Sequence, residues 1–154
     1  MKTTRYENYT LWKLHVMKTT DNYTKGQNAA RLLLGTMLIA AGTSHLTFAR
    51  KEFQAQVPDW VPLKKDTTVV LSGIAEILLG TSIAVLKNDR KKVGIAAAGF
   101  FAAVFPGNIS QYKNRRDAFG LDTDEKRFAR LFFQPVLMAW ALYGGGVTSK
   151  KDKL

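Results

Sequence analysis

Residues 67–86 read TTVVLSGIAEILLGTSIAVL and carry a single formal charge, Glu76. Three further windows, 32–49, 93–112 and 131–149, carry no charged side chain, although the 154-residue chain holds 23 Lys and Arg and 12 Asp and Glu residues. An apolar stretch of roughly 18 residues or more has the length of a transmembrane helix, whereas a membrane strand needs only about 9–11. The four windows therefore predict an all-α integral membrane protein, folded as a four-helix bundle.

The segments outside these windows set the predicted domain organisation. A polar, basic N-terminal segment covers residues 1–27, the four-helix domain covers 28–149, and a basic tail covers 150–154. A polar motif near the beginning of the chain is repeated just after Met17. Translation from Met17 is therefore an alternative to translation from Met1.

The distribution of Lys and Arg predicts the orientation. Thirteen of the 23 lie on the side shared by both termini and the 87–92 hairpin, and ten lie in the two long connections. Cytoplasmic loops of membrane proteins carry the excess of positive charge. We therefore expect both termini in the cytoplasm of a multi-pass protein of the cell membrane, with the bacterial inner membrane as the first expectation.

The composition excludes several kinds of site. The chain contains no cysteine, which removes thiol exchange, Cys-ligated zinc and iron–sulfur clusters. Only one of the two histidines, His45, lies in an apolar window, so a haem held by two histidines within the membrane is disfavoured. The net charge of +11 fits basic loops facing anionic lipid headgroups, and nucleic acid is not a predicted partner.

Strongly polar side chains inside the windows cluster toward one side of the predicted membrane. With about 1.5 Å of rise per residue, each lies in the half of its window nearer the long connections, which is the outer half in the predicted orientation. These residues predict one polar chamber that is open to the outside and binds a small ligand. The candidate ligand-binding residues are His45, Ser72, Glu76, Asn108, Gln134 and, at the rim, Arg130.

Glu76 has two interpretations. An ionised carboxylate within a bilayer is costly, so Glu76 is expected to be protonated or paired with His45 or Arg130. It would either accept a proton or bind a polar ligand, or it would join His45 in a structural clamp between helices. One His and one Glu are too few for a metal site, which usually needs three or more converging ligands.

The first long connection contains VPDWVP at residues 57–62. Its two prolines stiffen the chain, and Trp60 suits the headgroup level of a membrane. We expect Pro58, Trp60 and Pro62 to form a lid over the chamber, with a plain surface loop as the alternative.

Small residues indicate where the helices approach one another. Gly35 and Gly42 are seven residues apart in the first window, and Gly73 and Gly80 are seven apart in the second. This spacing keeps both glycines of a pair near one helix face, and small faces allow membrane helices to pack closely.

Taken together, several of these motifs resemble the DoxX family of small four-helix membrane proteins. The resemblance covers residues 31–144 and rests on AGTSHL at 41–46, VPDWVP at 57–62, SGIAEILLG at 72–80 and FPGNI at 105–109. The wider group is linked to quinone-dependent oxidation of sulfur compounds, to membrane complexes that handle oxidative stress and, in animals, to assembly of acetylcholine receptors. The resemblance thus implies a four-helix membrane fold without fixing one activity.

Three functions follow as expectations. The first is a module that is not an enzyme by itself and that binds a small molecule or docks a partner through its outer end. The second is an accessory membrane subunit of a quinone-linked oxidoreductase, with a quinone as the cofactor and Glu76 and His45 handling protons. The third is a small transporter that works as a homo-oligomer. All three place the chain in a lipid bilayer.

Overall fold

The computed structural model describes residues 23–148, and the predictions for 1–22 and 149–154, including the choice between Met1 and Met17, lie outside this range. The described part is all-helical, which confirms the all-α part of the predicted fold class. Its five helices are α1 (Lys25–Leu46), α2 (Arg50–Gln54), α3 (Lys65–Val85), α4 (Arg90–Lys113) and α5 (Asp124–Gly145).

Three of these helices, α1, α3 and α4, are long and apolar enough to cross a membrane. The helix α5 has a similar length, but its first turn contains Asp124 and Glu125 and it is not one of the three. Many large apolar side chains remain exposed on the long helices, among them Leu33 at 62%, Leu78 at 63% and Phe133 at 67%. A surface of this kind is typical of helices that contact lipid.

Two helices begin well before the apolar windows that predicted them. Thr24 caps α1 in a capping box with Gln27, so that helix begins at Lys25 and not near residue 32. Thr123 accepts a hydrogen bond from the backbone N–H of Lys126 and caps α5, which begins at Asp124 and not near 131. A charge-free window measures the apolar part of a helix, whereas caps set where the helix begins.

The C-terminal ends of the first and last windows are also corrected. The helix α1 ends at Leu46 and not at residue 49, and α5 ends at Gly145 and not at 149. Gly146 has a φ of 72° and is the left-handed residue that follows α5. Glycine adopts this conformation without the steric penalty that a Cβ atom would bring.

The predicted glycine pairs form the contact between α1 and α3. A Cβ atom added at Gly73 would lie 2.9 Å from the carbonyl oxygen of Gly42, and one added at Gly35 would lie 2.9 Å from that of Gly80. Backbone atoms of the two helices therefore approach where neither residue has a side chain, as small-residue packing of membrane helices requires.

The ends of the long helices define two ends of the molecule. The hairpin end holds residues 86–89, the start of α1 and the end of α5, and the loop end holds residues 47–64 and 114–123. The apolar core extends from the middle of the molecule toward the hairpin end and consists of Leu34, Leu38, Ile83, Val93, Ala97, Ala98, Phe101 and Ala141.

Two arginines are buried at the hairpin end. Arg31 donates to the carbonyl oxygens of Ile83 and Ala84 at the end of α3. Arg90 donates to the carbonyl oxygen of Gly144 at 2.7 Å and to Oδ1 of Asn28 at 2.6 Å. Both guanidinium groups thus satisfy carbonyls in the last turn of a helix, where a positive charge also favours the helix dipole.

Candidate functional site

His45 and Glu76 contact each other in the half of the molecule toward the loop end. His45 is 5% exposed near the end of α1, and Glu76 is 9% exposed in the middle of α3. Their Nδ1 and Oε2 atoms are 3.2 Å apart, but they are not aligned as a hydrogen bond, and neither atom has another hydrogen-bond partner among the described residues. Of the two predicted partners for Glu76, the structure therefore selects His45 over Arg130.

An aromatic bridge covers His45 at the loop end. The ring of Phe53 in α2 meets the His45 ring edge-on, with centroids 3.5 Å apart, and the Phe119 ring lies 4.5 Å from that of Phe53. The guanidinium carbon of Arg130 lies 5.2 Å from the Phe119 centroid. A continuous row of ring contacts therefore runs from α1 to α5 and ends on a cation–π interaction.

Beside His45 lies a pocket of about 170 Å³. We call it the His45 pocket and define it by its lining residues, which are His45, Phe53, Gln56, Val57, Pro58, Trp60, Val61, Thr68, Val69, Ser72, Ala103, Val104, Pro106 and Gly107. Its walls are mainly apolar, with polar groups from His45, Gln56, Thr68 and Ser72. The Nε2 atom of Gln56 is buried and has no hydrogen-bond partner within residues 23–148.

The other predicted polar residues lie at a second pocket. Asn108 donates to Oε1 of Gln134 at 2.9 Å, and Gln134 donates in turn to the carbonyl oxygen of Phe101. We call this second pocket the Arg130 pocket. Its volume is about 460 Å³, and its lining residues are Asn108, Leu121, Lys126, Ala129, Arg130, Phe133, Gln134 and Leu137.

The structure thus divides the predicted chamber into two pockets. His45 and Ser72 line the His45 pocket. Asn108, Gln134 and Arg130 line the Arg130 pocket. Glu76 lines neither pocket and contacts His45. The aromatic bridge of Phe53 and Phe119 joins the His45 and Arg130 ends of this region.

The 57–62 loop lies against the His45 pocket. Pro58 is buried and Trp60 is 73% exposed, and both line the pocket, whereas Pro62 is exposed and does not. Arg116 from the second long connection holds this loop by donating to the carbonyl oxygens of Ala55 and Val57. The predicted lid therefore has Pro58 and Trp60 at the pocket and Pro62 outside it.

Ion pairs fix the exposed side of the same loop. The Asp59 carboxylate contacts Nζ of Lys65 at 2.8 Å and also pairs with Arg116. The hydrogen bond from Lys65, with the added charge of Arg116, lowers the pKa of Asp59 below its usual value. Within residues 23–148, no three side chains of the metal-ligating types converge.

These features define an all-α protein with three helices able to cross a membrane and with two pockets at one end. The model of a domain of unknown function, DUF8561, matches residues 34–144, which is more than two thirds of the chain. The chain therefore belongs to the DUF8561 family. No curated protein and no solved structure matches it. The resemblance to DoxX proteins stays a prediction.

Proposed function

We propose that this protein is a multi-pass membrane protein, a four-helix bundle of the DoxX type in which α5 is the fourth span, and that it binds a small ligand in the His45 pocket. The exposed apolar side chains of α5 support the fourth span, because Phe132 is 62% and Val136 58% exposed beyond its charged first turn. A lipid environment would cover these side chains.

One observation carries the ligand proposal. The pocket and the contact directly behind it contain three buried polar atoms without a hydrogen-bond partner among the described residues, namely His45 Nδ1, Gln56 Nε2 and Glu76 Oε2. Buried polar atoms are normally satisfied, because leaving one unpaired costs about 1–3 kcal/mol. Of these, Gln56 Nε2 belongs to a residue that lines the pocket, whereas His45 Nδ1 and Glu76 Oε2 lie 3.2 Å from each other. A bound molecule that accepts a hydrogen bond from Gln56 would satisfy its buried amide.

The pocket also indicates the kind of ligand. A cavity of roughly 150 Å³ holds one benzene molecule, so the His45 pocket at about 170 Å³ suits one six-membered ring with small substituents. The amide of Gln56 would donate to an acceptor on that ring, and Phe53 and Trp60 would pack against its faces. The ligand we propose is therefore a flat, mostly apolar molecule with a hydrogen-bond acceptor.

A quinone headgroup has this chemistry, which supports the alternative function as an accessory subunit of a quinone-linked oxidoreductase. His45, with Glu76 behind it, would then exchange protons at a quinone oxygen. A transporter is less well supported, because the apolar core around Leu34, Leu38 and Phe101 lies between the two pockets and the hairpin end.

The test of the ligand proposal replaces Gln56 by leucine. Gln56→Leu keeps most of the side-chain volume but removes the buried donor, so we expect loss of a small molecule that co-purifies with the unmodified protein in mild detergent. An unbiased mass-spectrometric survey of the purified samples measures this, and an added short-chain quinone tests the alternative directly.

The matched control is Gln54→Leu. Gln54 lies two residues earlier and donates to Asp66 at 3.0 Å outside the pocket, so its replacement should leave the bound molecule in place. Equal small-molecule content in both variants and the unmodified protein would refute the His45 pocket as the binding site.

The orientation that we propose has both termini in the cytoplasm and the two pockets facing outward. Because the chain lacks cysteine, single cysteines can be introduced without background labelling. Asn88 in the hairpin and Thr123 before α5 are both exposed. We expect a membrane-impermeant thiol reagent on intact cells to label Thr123→Cys and not Asn88→Cys. The reverse pattern would invert the topology and place both pockets on the cytoplasmic side.

A further inference from the structure

Arg130 is a half-buried cation without an acidic partner among residues 23–148. Its Nε atom donates to Oδ1 of Asn108 at a long 3.3 Å, and its guanidinium group lies over the Phe119 ring. No carboxylate of the described residues forms an ion pair with it, although Arg50, Arg115, Arg116 and Arg127 at the same end each have one. The terminal nitrogens of Arg130 make no hydrogen bond within residues 23–148.

A row of hydrogen bonds holds Arg130 in this position. The carbonyl oxygen of Phe101 accepts from Gln134, Gln134 accepts from Asn108, and Asn108 accepts from Arg130. Asn108 and Gln134 are both buried, so the row is anchored in the protein and only the outer edge of the guanidinium group is open. An arginine presented in this way is suited to a bidentate contact with an oxyanion.

The Arg130 pocket combines this cation with apolar walls. Leu121, Ala129, Phe133 and Leu137 line it, and its volume is about 460 Å³. Its other cation, Lys126, already pairs with the Asp122 carboxylate at 2.6 Å. The unbalanced positive charge in the pocket therefore belongs to Arg130, and the remaining surface suits an apolar chain.

The pocket also lies on the side of α5 that carries exposed apolar residues. Phe133 and Leu137 follow Arg130 by three and seven residues, so they share its helix face, and Leu137 lies about 10 Å further along the axis. Phe133 is 67% exposed, and its neighbour Phe132 is 62% exposed. The pocket thus runs from a charged end near the loops to an apolar end that opens among these side chains.

We propose that the Arg130 pocket binds an anionic phospholipid of the surrounding membrane, with the lipid phosphate on the Arg130 guanidinium group and an acyl chain along Phe133 and Leu137. The site is separate from the His45 pocket and needs no ligand there. It rests on the membrane placement that we propose above, which a flotation assay with liposomes tests independently.

The experiment reconstitutes the full chain with equal amounts of phosphatidylglycerol and phosphatidylcholine and counts the retained lipids by native mass spectrometry. The unmodified protein should retain phosphatidylglycerol preferentially. Arg130→Gln should reduce that preference by roughly fivefold, the scale of one arginine at an anionic headgroup. Arg130→Lys should restore most of it, and Lys51→Gln should leave it unchanged, because Lys51 is an exposed cation of the same end that does not line the pocket.

A second variant covers the case in which Arg130→Gln does not fold. Ala129 is exposed and lines the pocket, so Ala129→Phe fills the pocket without removing a charge and should also abolish the preference. Retention of phosphatidylglycerol by a folded Arg130→Gln protein, or equal retention of both lipids by the unmodified protein, would overturn the proposal. Binding of glycerol phosphate, which has no acyl chains, as tightly as phosphatidylglycerol would show a simple anion site and would equally overturn it. Failure of the unmodified protein to float with liposomes would instead refute the membrane placement.

Discussion

Gly42→Ala is expected to destabilise the protein by about 1–3 kcal/mol, the usual cost of overpacking, and Gly42→Leu by more. The new Cβ atom would meet the carbonyl oxygen of Gly73 and would lie 2.8 Å from Cγ1 of Ile77. Neither a backbone oxygen nor a side chain packed between helices can move away cheaply, so α1 and α3 must separate. Unfolding of the purified protein in mixed micelles, followed by circular dichroism, measures the loss.

Gly99→Ala is the matched control for this prediction. Gly99 also lies within a long helix, but a Cβ atom at this position would have no neighbouring atom of the described residues within 4 Å. Replacing glycine by alanine within a helix then gains up to about 1 kcal/mol of helix propensity. Similar stability of the Gly42→Ala and Gly99→Ala proteins would show that α1 and α3 do not depend on the glycine contact.

The sequence was sufficient for the all-α class and for the faces on which two of the helices pack. Windows with at most one charge predicted long helices because a charge is excluded from a lipid-facing or buried helix surface much more strongly than from a loop. The seven-residue spacing of the glycines predicted which faces of α1 and α3 allow close packing, and the structure places these two faces against each other. The low charge of the windows and the spacing of the glycines are both local properties, which can be taken directly from the sequence.

The helix ends needed a different signal, which the sequence also contains. Thr24 and Gln27 have the spacing of a capping box, and Thr123 precedes the acidic first turn of α5. Reading these caps beside the apolar windows would have placed the starts of α1 and α5 correctly. The windows alone could not, because the first turns of both helices contain charged residues.

The aromatic bridge over His45 could not be predicted in this way. Phe53 lies in the five-residue helix α2, which is too short to show a periodic pattern. Phe119 has a φ of 58° and donates its backbone N–H to the Glu52 carboxylate, a left-handed conformation that sequence does not predict for phenylalanine. The division of the chamber into two pockets depends on these tertiary contacts.

The buried arginines show a limit of counting charges. Arg31 and Arg90 contributed to the topology count as residues beside the membrane, yet both are buried among helix ends. Their charges satisfy backbone carbonyls in the last turns of α3 and α5. A Lys or Arg next to an apolar window can therefore serve packing between helices as well as orientation, and the sequence does not distinguish these roles.

The contact between Glu76 and His45 predicts the second large effect. Glu76→Leu should lower the free energy of unfolding by about 1–3 kcal/mol, because it leaves the His45 imidazole buried without a polar neighbour. Glu76→Gln keeps a group that can hydrogen-bond to Nδ1, which lies 3.2 Å from the carboxylate. Its loss should stay within about 1 kcal/mol, the scale of polar contacts between membrane helices.

The combination with His45→Leu makes this prediction decisive. Each single leucine variant leaves one buried polar group alone, whereas the double variant Glu76→Leu, His45→Leu leaves none, so it should regain much of the stability that the single variants lose. If the two losses simply add in the double variant, the residues do not stabilise each other and the clamp interpretation is refuted. If the double variant melts like the unmodified protein but no longer retains the small molecule, the pair serves the ligand as well as the fold. His45 would then be the residue that meets the ligand, and Glu76, behind it, the residue that positions its ring.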